Sequence, residues 1–64
     1  MENGKPATAP LLYDEEGARY MLGNVGRSKL YEEIQAGRLR AVKIGRRTFI
    51  AHAELERYVG ELTA

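Results

Sequence analysis

Residues 26–50 constrain the fold more than any other part of the chain. They read Gly-Arg-Ser-Lys-Leu-Tyr-Glu-Glu-Ile-Gln-Ala-Gly-Arg-Leu-Arg-Ala-Val-Lys-Ile-Gly-Arg-Arg-Thr-Phe-Ile. Leu30 and Ile34 lie four apart and share one helical face, while Ser28, Lys29, Glu32 and Ala36 share the opposite one. Gly37 follows as a natural left-handed helix stop, so the spacing predicts a helix over 27–36 with Arg27 in its first turn and Tyr31 on its boundary. Arg38-Leu39-Arg40 then forms a basic linker with Leu39 buried between two exposed arginines. Residues 41–44 and 48–50 are β-branched and aromatic as strands prefer, and Gly45-Arg46-Arg47 makes the tip of a hairpin.

The register of that hairpin has two solutions. A two-residue turn at Gly45-Arg46 sets Phe49 opposite Val42 and buries it; a three-residue turn sets Ile50 opposite Val42 and turns Phe49 outward. The three-residue turn is favoured, because Val42, Ile44 and Ile50 then form one apolar face. An outward Phe49 is an interaction residue.

The remaining elements follow from local pattern. Residues 1–10 hold two prolines and a glycine with almost nothing to bury, and read as a flexible tail before a domain over 11–62. Leu11 and Leu12 lead into Asp14-Glu15-Glu16, an acidic first turn suited to a helix dipole, and Ala18, Met21 and Leu22 supply an apolar stripe. Gly17 inside this helix costs about 1 kcal/mol relative to alanine, which close packing alone would explain. Gly23-Asn24-Val25-Gly26 breaks the helix. A last helix over 53–59 aligns Leu55, Tyr58, Val59 and Leu62 to close the core, with Gly60 ending or fraying it and Glu54, Glu56 and Glu61 making its outer side acidic. The fold class expected is mainly α with a small β-hairpin, three helices plus a two-stranded wing.

Sixty-four residues allow one domain that buries about 60% of the surface its unfolded chain exposes. Without cysteine, neither a disulfide framework nor a thiolate zinc site supplements so small a core. One histidine and no cysteine make a metal site improbable, and no cofactor is expected. A nucleophile with a base and an orienting acid would have to combine Ser28, His52 and Asp14, the single serine, histidine and aspartate, so no enzyme is expected. His52 reads instead as a capping or solvated residue at the start of the last helix. No apolar run approaches the roughly 18 residues of a membrane span, and residues 1–10 lack the apolar centre of a signal peptide; the expectation is a soluble cytoplasmic protein with no membrane partner.

The formal net charge of +1 conceals a segregation. Arg27, Lys29, Arg38, Arg40, Lys43, Arg46 and Arg47 lie in one stretch against only Glu32 and Glu33, whereas acids dominate the remainder. Such asymmetry points to one face that meets a polyanion. Short residues at the start of a helix with a few long donors suit a major groove, and guanidinium groups on a narrow hairpin suit a minor groove or its phosphates.

The order helix, turn, helix, Gly, basic linker, Val-Lys-Ile-Gly-Arg-Arg hairpin, helix resembles the small winged helix-turn-helix excisionases, or recombination directionality factors, related to the DNA-binding domains of MerR-type regulators. The resemblance runs from Leu12 to about Val59. It is most specific over Gly37-Arg38-Leu39-Arg40-Ala41-Val42-Lys43-Ile44-Gly45-Arg46-Arg47, followed by Ile50 and Leu55-Glu56-Arg57-Tyr58. It implies double-stranded DNA as partner, further copies on adjacent repeats, DNA bending, and a phage or mobile-element integrase directed toward excision. Carried over by position, the groove-reading residues are Arg27, Ser28 and Lys29, with a flanking contact from Tyr31 and wing contacts from Lys43, Arg46 and Arg47. The chain departs from the family where Gly26 stands for the usual Ser or Thr and Tyr13 for the usual cap of the first helix. Asn24 is an extra turn residue, and Glu32 and Glu33 occupy positions often basic or neutral. A small transcriptional regulator with the same domain is the alternative, and a protein-interaction module built on Phe49 and the acidic last helix is the reading from another class.

Overall fold

The computed structural model describes residues 10–64, so the expected tail lies outside the described residues apart from Pro10. The elements are β1 (Leu12–Asp14), α1 (Glu15–Met21), α2 (Arg27–Gln35), β2 (Val42–Ile44), β3 (Arg47–Ala51) and α3 (His52–Leu62). Three helices with a small antiparallel sheet in the order β1-β3-β2 make a winged helix-turn-helix. The core is Ala18, Leu30, Leu39, Ile50 and Leu55, with Tyr13, Leu22, Ile34, Ala41 and Tyr58 packed around it. Burying each of the leucines and the isoleucine contributes roughly 1.5–3 kcal/mol.

The sheet has one strand more than the sequence pattern indicates. Leu12, Tyr13 and Asp14 pair with Ala51, Ile50 and Phe49, where the pattern has Leu11 and Leu12 running straight into the first helix. The reason is non-local: β3 otherwise leaves a row of unpaired backbone groups along one edge, and a short strand covers them. The His52 N–H donates to the Leu11 carbonyl at 2.8 Å, extending the seam to the start of α3, and the Tyr13 hydroxyl meets His52 Nδ1 at 3.1 Å. Tyr13 therefore belongs to the sheet, and Asp14 caps α1, its Oδ1 accepting from the Gly17 N–H at 2.8 Å. A side chain on Gly17 would bring its Cβ within 3.1 Å of that carboxylate oxygen. Close approach of the cap is thus the use of the glycine.

α1 and α2 end alike. Gly23 and Gly37 take positive φ, and the amides of the glycine and its successor reach back to Tyr20 and Arg19 in one case and to Ile34 and Glu33 in the other. This double closure satisfies carbonyls the helix leaves free. The Arg19 Nε donates to the Val25 carbonyl at 3.0 Å and clamps the turn, so α2 begins at Arg27 behind Gly26.

The hairpin adopts the register not favoured above. Val42 faces Phe49, Lys43 faces Thr48 and Ile44 faces Arg47, which leaves Gly45-Arg46 as a two-residue turn. Gly45 has φ +63° and Arg46 does not enter the positive region, the pattern of a II′ turn, whose twist matches the strands it joins. Turn geometry wins over apolar clustering because helices cover only one sheet face. Directly opposed residues share a face, so Val42, Ile44 and Phe49 lie together on the outer face while Ile50 points alone into the core. Phe49 is outward, as the three-residue turn required, but through the shorter turn. Arg47 consequently belongs to β3 rather than to the tip.

α3 runs through Gly60 to Leu62, three residues beyond the expected end. Of its apolar stripe Leu55 is buried and Tyr58 packs on the core as expected, but Val59 is 40% and Leu62 64% exposed, so the second half of the stripe does not close the core. With Met21, Leu22, Val25 and Tyr58 they line a groove of about 530 Å³ between the helices.

Candidate nucleic-acid interface

Two surfaces of opposite character divide the basic residues. The first is the corner where α2 meets the linker and α3. Position 33 lies three residues after Leu30, on the edge of the core stripe, and Glu33 is only 5% exposed. Its carboxylate accepts from Arg38 Nε at 2.9 Å and Nη2 at 2.7 Å, and from the Tyr58 hydroxyl at 2.8 Å. These donors hold the Glu33 carboxyl down at about 2, against a usual 4.5, although burial opposes them. The same bond raises the Arg38 guanidinium, while burial and the neighbouring Glu33 push the Tyr58 phenol up.

Glu54 repeats the arrangement in the first turn of α3. It accepts from Arg57 Nε at 3.0 Å and Nη2 at 2.6 Å and from the Arg40 N–H at 2.9 Å. Arg57, chiefly, lowers the Glu54 carboxyl to about 2 and is itself raised in return. Arg57 also donates to the Arg38 carbonyl at 2.8 Å. Both ends of the linker are therefore fastened to α3, which fixes where the hairpin leaves the body. Sequence reasoning counted Arg38 and Arg40 in one basic patch and missed Glu33. The signal available was a glutamate on the core edge of a helix with an arginine five residues on.

The second surface joins α2 to the hairpin. A cleft of about 470 Å³ has Asp14, Glu15 and Glu16 on one side, Tyr31 of α2 on another, and Arg46 and Arg47 on the third. Of the seven expected contacts, the structure brings Tyr31, Arg46 and Arg47 to this cleft, and Lys43 stands opposite Thr48, which lines it too. Arg27 approaches through Glu15, its Nε 2.9 Å from Oε2, with the guanidinium 5.5 Å from the Tyr31 ring centre. The Tyr31 hydroxyl donates to the other oxygen of Glu15 at 3.1 Å. Arg47 lies 4.9 Å over the Phe49 ring, 3.5 Å from Asp14. Ser28 is exposed in the first turn of α2. Lys29 is not brought to this cleft; it borders the apolar groove, 3.4 Å from Glu32 and 3.6 Å from Glu33. Asp14 and Glu15 hold Arg47 and Arg27, a pairing that an acidic first turn in the sequence does not reveal.

Among the described residues no group of acids, histidines or cysteines could hold a metal ion, and no helix is long and apolar enough to cross a membrane. Ser28, His52 and Asp14 are engaged separately: Ser28 on α2, Asp14 as cap and partner of Arg47, His52 between Tyr13 and Glu56.

No curated protein and no solved structure matches the chain. The sequence profile of the helix-turn-helix domain matches residues 21–63, from the last residue of α1 through the whole of α2, the hairpin and α3. That span holds the exposed first turn of α2, the arginine-tipped hairpin and the corner that joins them, about two thirds of the chain. The chain therefore belongs to the helix-turn-helix domain family, whose members are DNA-binding and typically non-enzymatic.

Proposed function

We propose that the protein is an excisionase-type accessory factor acting in the cytoplasm on double-stranded DNA. In this reading α2 enters a major groove with Arg27, Ser28 and Lys29 facing bases and phosphates, Tyr31 contacts the flank, and the hairpin lies over the adjacent minor groove with Lys43, Arg46 and Arg47. The observation that carries it is the cleft between Tyr31 on α2 and Arg46 and Arg47 on the hairpin, because it lets the two elements reach neighbouring parts of one duplex. A single module of this size buries about 600–1,000 Å² on DNA and binds weakly alone. Occupancy then comes from several copies on adjacent repeats and from an integrase partner, through effective concentration. DNA bending by such an array directs recombination toward excision.

The reading is tested by incubating the purified protein with fragments of its source genome and sequencing those retained at moderate salt. Repeated sites beside an integrase gene are the expected result. Recovery of promoters instead would make the protein a small transcriptional regulator, and recovery of nothing would remove DNA binding by the isolated chain. Affinity should fall steeply with salt, with a log-log slope of about 0.9 per phosphate contact; a salt-insensitive complex would count against the whole surface.

A further inference from the structure

Arg27 is the first residue of α2, and what surrounds it is unusual for a phosphate contact. Its guanidinium is held on two sides, by the Glu15 carboxylate at Nε and by the Tyr31 ring beneath it. Glu15 is fixed in turn by the Tyr31 hydroxyl, so two mutually bonded side chains, one from each helix, flank the guanidinium. Among the described residues the ion pair to Glu15 engages Nε alone, and with the side chain 69% exposed the terminal fork stays open. A carboxylate beside a DNA surface repels phosphate, which makes this arginine a poor non-specific contact. It suits a base edge instead. Arginine reads guanine through two parallel bonds from that fork to O6 and N7, and the geometry rewards a side chain already held in place.

We propose that Glu15 is a specificity-determining residue, seating Arg27 so that its guanidinium fork reads a guanine in the major groove while discouraging the same arginine from taking a phosphate. The inference rests on the reading of α2 as the groove-facing helix. Glu15 is a positioning residue, acting through Arg27 and touching no base itself.

The test is selection from a library of randomised duplexes with the wild type, Glu15→Gln, Arg27→Lys and Arg27→Ala, followed by affinities for the selected site and for a random duplex. Glutamine keeps the size and an acceptor for Tyr31, and thermal unfolding of each variant checks that it is folded. In the wild type, replacing one guanine of the selected site should weaken binding about 5- to 150-fold. Glu15→Gln and Arg27→Lys should both flatten the preference at that one position, since one loses the seat and the other the fork. Glu15→Gln should in addition bind the random duplex more tightly than the wild type, which a merely structural role would not produce. An unchanged preference in a folded Glu15→Gln, or equal losses on both duplexes, would overturn the proposal. If the wild type selects no site, or Arg27→Ala leaves selection unaltered, the groove-facing reading of α2 is what fails.

Discussion

The corner around Glu33 and Glu54 and the cleft below the hairpin are built from the same residue types, arginines opposite carboxylates, yet differ in how the carboxylates are held. At the corner Glu33 is almost fully buried and each carboxylate takes two bonds from one guanidinium plus a third donor. At the cleft the partners of Arg27 and Arg47 make single contacts on the surface, and Arg46 has no ion pair among the described residues. Exposed pairs of that kind contribute little to stability. The lesson is that an arginine's role is set by the burial of its partner: Arg38 and Arg57 are part of the frame, whereas Arg46 and Arg47 remain available to a polyanion and Arg27 keeps an open fork beside Glu15.

The comparison predicts that stability and DNA affinity separate by region. The largest effect is expected for Leu39→Ala, which empties the core beneath the corner and should lower the unfolding free energy by about 3 kcal/mol, measured by urea titration. For a domain this small that is a large share of the total. Next comes the pair Arg46→Ala with Arg47→Ala, which should lower affinity about tenfold or more at low salt and flatten the log-log salt slope by about 1.8 while leaving the thermal midpoint unchanged. Arg38→Ala should do the reverse, lowering the midpoint by less than Leu39→Ala and leaving the salt slope alone. If Arg38→Ala instead changed the slope, the division between frame and interface would be broken.

Acid sharpens the same contrast. Glu33 and Glu54 have carboxyls near 2 in the folded protein and 4.5 as the ordinary value. Their folded values are depressed, so the stability they contribute is fully present above about pH 4.5 and is lost as pH falls toward 2. Urea midpoints measured between pH 6 and 2 should fall across that window in the wild type and less steeply in Glu33→Gln, whose starting stability is lower. Equal slopes would mean that the corner is not where protonation acts. The smallest effect is expected for Ile44→Thr, within about 0.5 kcal/mol because the side chain lies on the outer sheet face, while Ile50→Thr should be far more damaging. A large loss from Ile44→Thr would argue for the longer turn.

Much of this was legible in the chain itself. The helix from Arg27, its stop at Gly37, the burial of Leu39 between exposed arginines and the hairpin that follows are each dictated by neighbours within a few residues, through helical spacing, a left-handed glycine and strand propensity. What the sequence left open depends on contacts between distant segments. β1 exists because β3, some forty residues away, needs an edge partner. The hairpin register could not be chosen from an apolar count, because which sheet face the helices cover is not written in the strands. Glu33 and Arg38 carry the same letters as their solvated neighbours, and only the approach of Tyr58 from α3 shows that one of these acids is buried. The sequence alone determined the helices, the turn and the concentration of positive charge. The tertiary structure decided which arginines that charge leaves free, because burial and bidentate geometry arise only when α2, the linker and α3 come together.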